Sequence, residues 1–138
     1  MDVNGNKEAA PSELFNCFSV SNGRMNWIEL NCESKLEEIK KYSHVFPVLI
    51  FKHSTRCSIS RAALMRIERN WEGCKMASMK TYFLDLLAYR SISNKIASDF
   101  SVHHESPQVL LIKNGECIYE ASHLEIRVDE ITEQVFQL

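Results

Sequence analysis

The run Pro47-Val48-Leu49-Ile50-Phe51 is apolar at every position, and a strand without a polar face has to be covered on both sides. That is the situation of a central strand with helices above and below it, so this segment alone directs the chain toward a layered α/β fold. The residues that follow supply the first cover. Beyond the loop His53-Ser54-Thr55-Arg56, positions 58 to 71 set Ala63, Leu64, Ile67 and Trp71 on one helical face and Arg61, Arg66 and Arg69 elsewhere.

The alternation of strand and helix continues along the chain. Asn26 to Leu30 reads as a short strand, and Cys32 to Tyr42, with Leu36 and Ile39 at helical spacing, as a helix. Lys80 to Leu86 reads as a strand; Ile92, Ile96, Ala97 and Phe100 form the stripe of a third helix with Ser91 or Ser93 as its N-cap. Gln108 to Ile112 and Glu116 to Tyr119 flank Lys113-Asn114-Gly115, and Asn-Gly is a strong hairpin signal. Val128, Ile131 and Val135 mark a closing helix that opens near Arg127, without a good N-cap residue. The order βαβαβαββα predicts a thioredoxin-like arrangement: an α/β fold with a central mixed sheet, mostly parallel with only the terminal hairpin antiparallel, covered by helices on both faces. Other small α/β folds share much of this order, so the chemistry has to narrow the choice.

At 138 residues and 45% hydrophobic, the chain holds one compact core and is too short for two ordinary domains. The core-forming pattern begins at residue 25, giving a domain over residues 25–138. Residues 1–24, with many Asn and Ser and with Gly5, Pro11 and Gly23, show no periodicity and read as a loosely ordered arm, from which Phe15 and Phe18 are available to tuck against the domain. Sixteen Lys and Arg against eighteen Asp and Glu leave a formal charge of -2, so no basic excess points to nucleic acid or an anionic membrane. No apolar run reaches the roughly 18 residues of a membrane span, and the polar start does not resemble a secretory signal. Cys17, Cys32, Cys57, Cys74 and Cys117 are odd in number and without CxxC or metal-ligand spacing, which fits a reducing cytoplasm better than a disulfide framework or a zinc site.

Cys57 is the exception among these small apolar residues. It falls where the buried strand ends and a helix begins, in the crevice where open α/β sheets place ligands, and it faces the unpaired N–H groups and positive end of the helix. Such a setting favours a thiolate, and Arg56, Lys52 or His53 would add positive potential. Ser106-Pro107 starts the strand at Gln108; in a thioredoxin-like fold a cis proline there faces the nucleophile and leaves the preceding backbone for a substrate chain. The arginines at 56, 61, 66 and 69 suit carboxylates, although a solvated face paired with Glu68 and Glu72 explains them as well. Among the histidines, His104 lies nearest the proline loop and is the one expected to line the site, whereas His123 is expected to be structural.

The segments Phe51-Lys52-His53-Ser54-Thr55-Arg56-Cys57-Ser58-Ile59-Ser60, Ser93-Asn94-Lys95-Ile96-Ala97, His104 to Gly115 and Ala121-Ser122-His123, taken in order, resemble the monothiol bacilliredoxin family, a set of general-stress-type proteins. The likeness runs from about Trp27 to Leu138. It implies a thioredoxin fold, no tightly bound cofactor, and removal of bacillithiol, a low-molecular-weight thiol co-substrate, from S-thiolated proteins. By this resemblance Cys57 attacks, Ser60 stands where a dithiol relative holds its resolving cysteine, and a second small thiol or an external reductase resolves the adduct. Thr55, Arg56, Ser60, His104, Ser106 and Pro107 would surround the substrate, Thr55 and Ser60 as possible donors to the thiolate. Ser58 departs from the proline usual after the cysteine. Two other readings stay open: a redox-sensing or interaction module merely modified at Cys57, and a dithiol enzyme pairing Cys57 with Cys74 or Cys117, which the expected helix and strand place away from the crevice.

Overall fold

The computed structural model describes residues 25–73 and 75–137. The arm expected over residues 1–24, with Phe15, Phe18 and Cys17, lies outside the described residues, as does Cys74. Chain order is β1 (Ile28–Glu29), α1 (Glu33–Tyr42), β2 (Val48–His53), α2 (Ser58–Asn70), β3 (Lys80–Asp85), α3 (Arg90–Phe100), β4 (Gln108–Lys113), β5 (Glu116–Ser122), a 3-10 turn (His123–Glu125) and α4 (Val128–Phe136).

The unbroken apolar run has its expected consequence: every residue of β2 is buried, at the centre of a five-stranded sheet of order β1-β3-β2-β4-β5. Alternate side chains serve opposite faces. Leu49 and Phe51 meet Ala63 and Ile67 of α2 and Ile131 and Val135 of α4, while Val48 and Ile50 meet Leu36 and Ile39 of α1 and Ile92 and Ile96 of α3. Leu49, Ile50 and Phe51 are wholly shielded from solvent, a burial that contributes about 1.5–3 kcal/mol apiece. The two-layered cover makes the mixed α/β arrangement read from the sequence the observed one.

Strand direction differs from expectation at one pairing. β1 and β2 flank β3 in parallel, but β4 runs antiparallel to β2 as well as to β5. Antiparallel pairing thus begins one strand before the hairpin. The reason lies in the return from α3: residues 101–107 bring the chain back to the end of the sheet where β2 and β3 finish, so Gln108 enters opposite Lys52. This reversal sets the residues before β4 beside the end of β2.

The hairpin turn has positive φ at both Asn114 (54°) and Gly115 (77°), the geometry that makes Asn-Gly the favoured pair. Its two N–H groups are held by Ser43 at the end of α1, through the main-chain oxygen and the hydroxyl, each at 2.9 Å. At α3, neither Ser91 nor Ser93 is the N-cap: the helix starts at Arg90 after Tyr89, which makes no side-chain cap bond. Asp85 instead holds the turn that precedes the helix, its carboxylate accepting from the N–H groups of Leu87 and Ala88. Ser93 is one turn inside the helix and buried. α4 opens after Arg127 without a side-chain cap, as its sequence implies.

Candidate functional site

Cys57 is the N-cap residue of α2, extended at φ -105° and ψ 122°, and half-buried. A tight turn delivers it there, because its N–H donates to Ser54 O at 3.1 Å while its own carbonyl accepts from Arg61 N at 3.0 Å. The sulfur therefore belongs to the terminus at which α2 leaves N–H groups without helical partners, and no acidic residue occupies the first turn. Arg56 and Thr55 are exposed on the loop, and the Arg61 guanidinium steadies that loop by donating to Thr55 O at 3.3 Å.

The Ser106-Pro107 peptide bond is cis. One step beyond the last β2–β4 couple, Lys52 with Gln108, Pro107 comes beside His53 at the end of β2, so the proline loop and the Cys57 loop share one end of the sheet. Pro107 is buried and its carbonyl accepts from His123 N at 3.1 Å. Ser106 Oγ is shielded from solvent and has no hydrogen-bond partner among the described residues. Gln108, fully buried, shapes the approach to the proline: its amide donates to His103 O and its oxygen accepts from Glu105 N.

Two expected site residues turn elsewhere. Ser60 is wholly buried in the first turn of α2, where its oxygen accepts from Ser54 N–H at 3.1 Å and lies 2.7 Å from His53 Nδ1. Its hydroxyl is committed to His53 rather than directed to the sulfur. His104 sits on the α3 side of the sheet, its Nδ1 3.3 Å from both Lys52 Nζ and Ser93 Oγ. Burial, then the nearby Lys52 and Arg90 charges, push His104 below its ordinary pKa. Lys52 and His53 are neighbours in a strand, so they face opposite layers, and each recruits a partner that sequence spacing does not reveal.

The arginine row also resolves differently. Arg66 donates to the carbonyls of His123 and Ile126, tying α2 to the 3-10 turn, while Glu68 accepts from Trp27 Nε1 at 2.9 Å and Glu72 pairs with Lys75. His123 is structural, with φ 57° at the start of that turn.

Cys57 is not the sole cysteine at a helix start. Cys32 caps α1, is exposed, and has its thiol pKa lowered by the hydrogen bond with Ser34 Oγ at 3.2 Å and by backbone N–H groups. Cys117 is half-buried, and burial pushes its thiol up. It pairs with Ile112 toward the opposite end of the sheet from Gln108, about 13 Å along β4, well beyond disulfide reach of the Cys57 loop. At mildly acidic pH, alkylation followed by peptide mass spectrometry is expected to label Cys57 and Cys32 ahead of Cys117; early labelling of Cys117 would contradict this placement. No group of three or more His, Cys, Asp or Glu among the described residues is arranged to hold a metal ion, and no described helix is long and apolar enough to cross a membrane.

A family model described as monothiol bacilliredoxin BrxC matches residues 28–131. Among solved structures, a candidate oxidoreductase with a thioredoxin fold is 28% identical, with a TM-score of 0.66 over 77% of this chain and 90% of that one. A thioredoxin of Malassezia sympodialis (13% identity, TM-score 0.64, 83% of this chain and 91% of that one) shares the fold. So does mitochondrial thioredoxin 3 of Saccharomyces cerevisiae (11% identity, TM-score 0.63, 86% of this chain and 99% of that one).

Proposed function

The chain belongs to the family of the monothiol bacilliredoxin BrxC, and from that premise we propose that it is a one-cysteine thiol–disulfide oxidoreductase that strips a bacillithiol-type small thiol from protein mixed disulfides. The observation that carries this reading is the pairing of Cys57 at the start of α2 with a hydroxyl residue, already engaged by His53, at position 60. A thiol oxidoreductase role is supported by the family and by the likeness to an oxidoreductase with a thioredoxin fold; the small-thiol substrate is the finer step.

In the proposed cycle Cys57 thiolate attacks the small-thiol sulfur of a protein–S–S–R adduct. The S–S bond breaks, the protein thiolate leaves and takes up a proton, and Cys57 becomes Cys57–S–S–R, with no net redox change. The thiolate of a second small thiol, or of a reductase, then attacks the R sulfur of that disulfide, forming R–S–S–R or a reductase–S–S–R disulfide and returning the Cys57 thiolate. Thr55, Arg56 and the backbone before Pro107 border the sulfur's approach and are the groups available to the adduct.

Intact-mass analysis after exposure to oxidised bacillithiol should show one adduct, on Cys57, and added free thiol should restore multiple turnovers against a thiolated protein. A single modification without turnover would make the chain a redox sensor instead. Ser60→Cys should form an internal disulfide with Cys57, since residues three apart on a helical turn lie within disulfide reach, and the small-thiol adduct should then no longer accumulate. An adduct of unchanged yield in Ser60→Cys would count against this geometry.

A further inference from the structure

His53 has no part in the exchange steps above, yet it is the buried ionisable group nearest to the Cys57 loop in the chain. It ends β2 and is almost fully shielded, its ring stacked on Phe51 at 5.6 Å and tilted against Phe83 at 5.1 Å. Its Nδ1 meets Ser60 Oγ at 2.7 Å, and the same oxygen accepts from Ser54 N–H. These two bonds close a ring of structure around residues 54–57: strand end on one side, first helical turn on the other, with the cysteine between them.

We propose that His53 is a positioning residue for Cys57, acting through Ser60, and that its ionisation sets how the sulfur is presented. The proposal rests on the thiol-exchange reading, since it assigns a role within that same site.

The direction of the clamp follows the protonation of the His53 ring. A serine hydroxyl has one proton and two acceptor positions. With Ser54 N–H on one acceptor position, the hydroxyl is able either to donate to a bare His53 Nδ1 or to accept from a protonated one; in the proposed clamp the neutral ring carries its proton on Nε2 and the hydroxyl donates to Nδ1. Burial favours that neutral form, Asp85 across the β2–β3 pairing opposes it, and Arg61 on α2 supports it. Phe51 and Phe83 supply the rest of the enclosure and carry no charge. When His53 takes a proton, Nδ1 becomes a donor, and two N–H groups then point at one oxygen. The serine proton has to leave His53, and its local alternatives are carbonyls three and four residues back, those of Cys57 and Arg56. Protonation of His53 thereby moves a hydrogen bond onto the backbone that carries the nucleophile.

The test compares wild type, His53→Leu, His53→Asn and Ser60→Ala by the rate of Cys57 alkylation with iodoacetamide between about pH 5 and 8, read by peptide mass spectrometry and accompanied by thermal melts. Losing a buried hydrogen bond that orients the loop is expected to slow His53→Leu and Ser60→Ala by about tenfold, with no further loss in the double variant. His53→Asn keeps an acceptor at the Nδ1 position but cannot titrate. It should match the wild type at the alkaline end and fall less steeply on acidification. Equal rates in wild type and His53→Leu at every pH overturn the proposal. So does an Asn variant whose profile follows the wild type throughout, or one that reacts as slowly as the Leu variant. If His53→Leu does not fold, Ser60→Ala and His53→Asn decide alone. A parallel assay with a thiolated protein separates the two ideas: His53-dependent alkylation without any exchange sinks the proposed function and leaves the positioning role standing.

Discussion

Replacing Cys57 by serine is expected to reduce exchange with a protein mixed disulfide to the background rate of free thiols in solution. A serine hydroxyl is scarcely ionised at any pH the protein tolerates, so the variant keeps the size and helix-start geometry of residue 57 and loses the nucleophile. Cys32→Ser is the instructive control. Cys32 is exposed at the start of α1 with its thiol pKa lowered, so reactivity toward alkylating agents alone does not single out Cys57. What separates them is the surroundings: of the two, Cys57 is the one that shares its end of β2 with the Ser106-Pro107 loop, where a substrate chain would be held. Cys32→Ser and Cys117→Ser are therefore expected to retain turnover close to the wild-type rate. Turnover lost in Cys32→Ser and kept in Cys57→Ser would move the site to the other helix.

The fold was legible because its signals are local and repeated. The apolar run at β2, the Asn114-Gly115 turn and the Ile131 and Val135 stripe each report burial through spacing alone, and each is observed. The strand–helix junction placed Cys57 by the same logic. What spacing does not carry is the partner of a polar group. Ser60 reads as a hydroxyl one turn from Cys57, and nothing local says that a histidine seven residues earlier claims it. His104 reads as a site residue because it is near Pro107 in sequence, but its partner is Lys52, fifty-two residues away on the other face. One signal was present: Lys52 and His53 continue a wholly apolar strand without a turn residue, so both were bound to be buried and to need partners. Likewise the Ser91 or Ser93 cap failed because the helix begins earlier, at Arg90, with Ile92 N and Ser93 N already bonded to Tyr89 O.

Lys52→Met is expected to stabilise the protein at neutral pH, an unusual outcome for a substitution in the central strand. Lys52 is fully buried, and among the described residues its ammonium meets only His104 Nδ1 and no carboxylate lies within ion-pair distance of it. Burial lowers its pKa from 10.5 to about 8. Since the charged form is disfavoured in the folded state, the penalty is fully present below pH 8 and fades as pH rises toward the unfolded-state value near 10.4. The shift corresponds to about 3 kcal/mol at most. Methionine fills similar volume without a charge, and His104 keeps Ser93 Oγ at 3.3 Å as a partner, so little packing is lost in return. Urea unfolding should accordingly show Lys52→Met ahead of wild type at pH 7, with the gap narrowing above about pH 8 as the folded-state amine becomes neutral and closing only once pH passes the unfolded-state value near 10.4. A variant less stable than wild type at pH 7, or a gap that does not change with pH, would mean that the Lys52–His104 contact outweighs the cost of the buried charge. Should the stabilised variant also lose exchange while Cys57 still alkylates normally, the buried lysine would be kept for the loop that carries Pro107, at the expense of the fold.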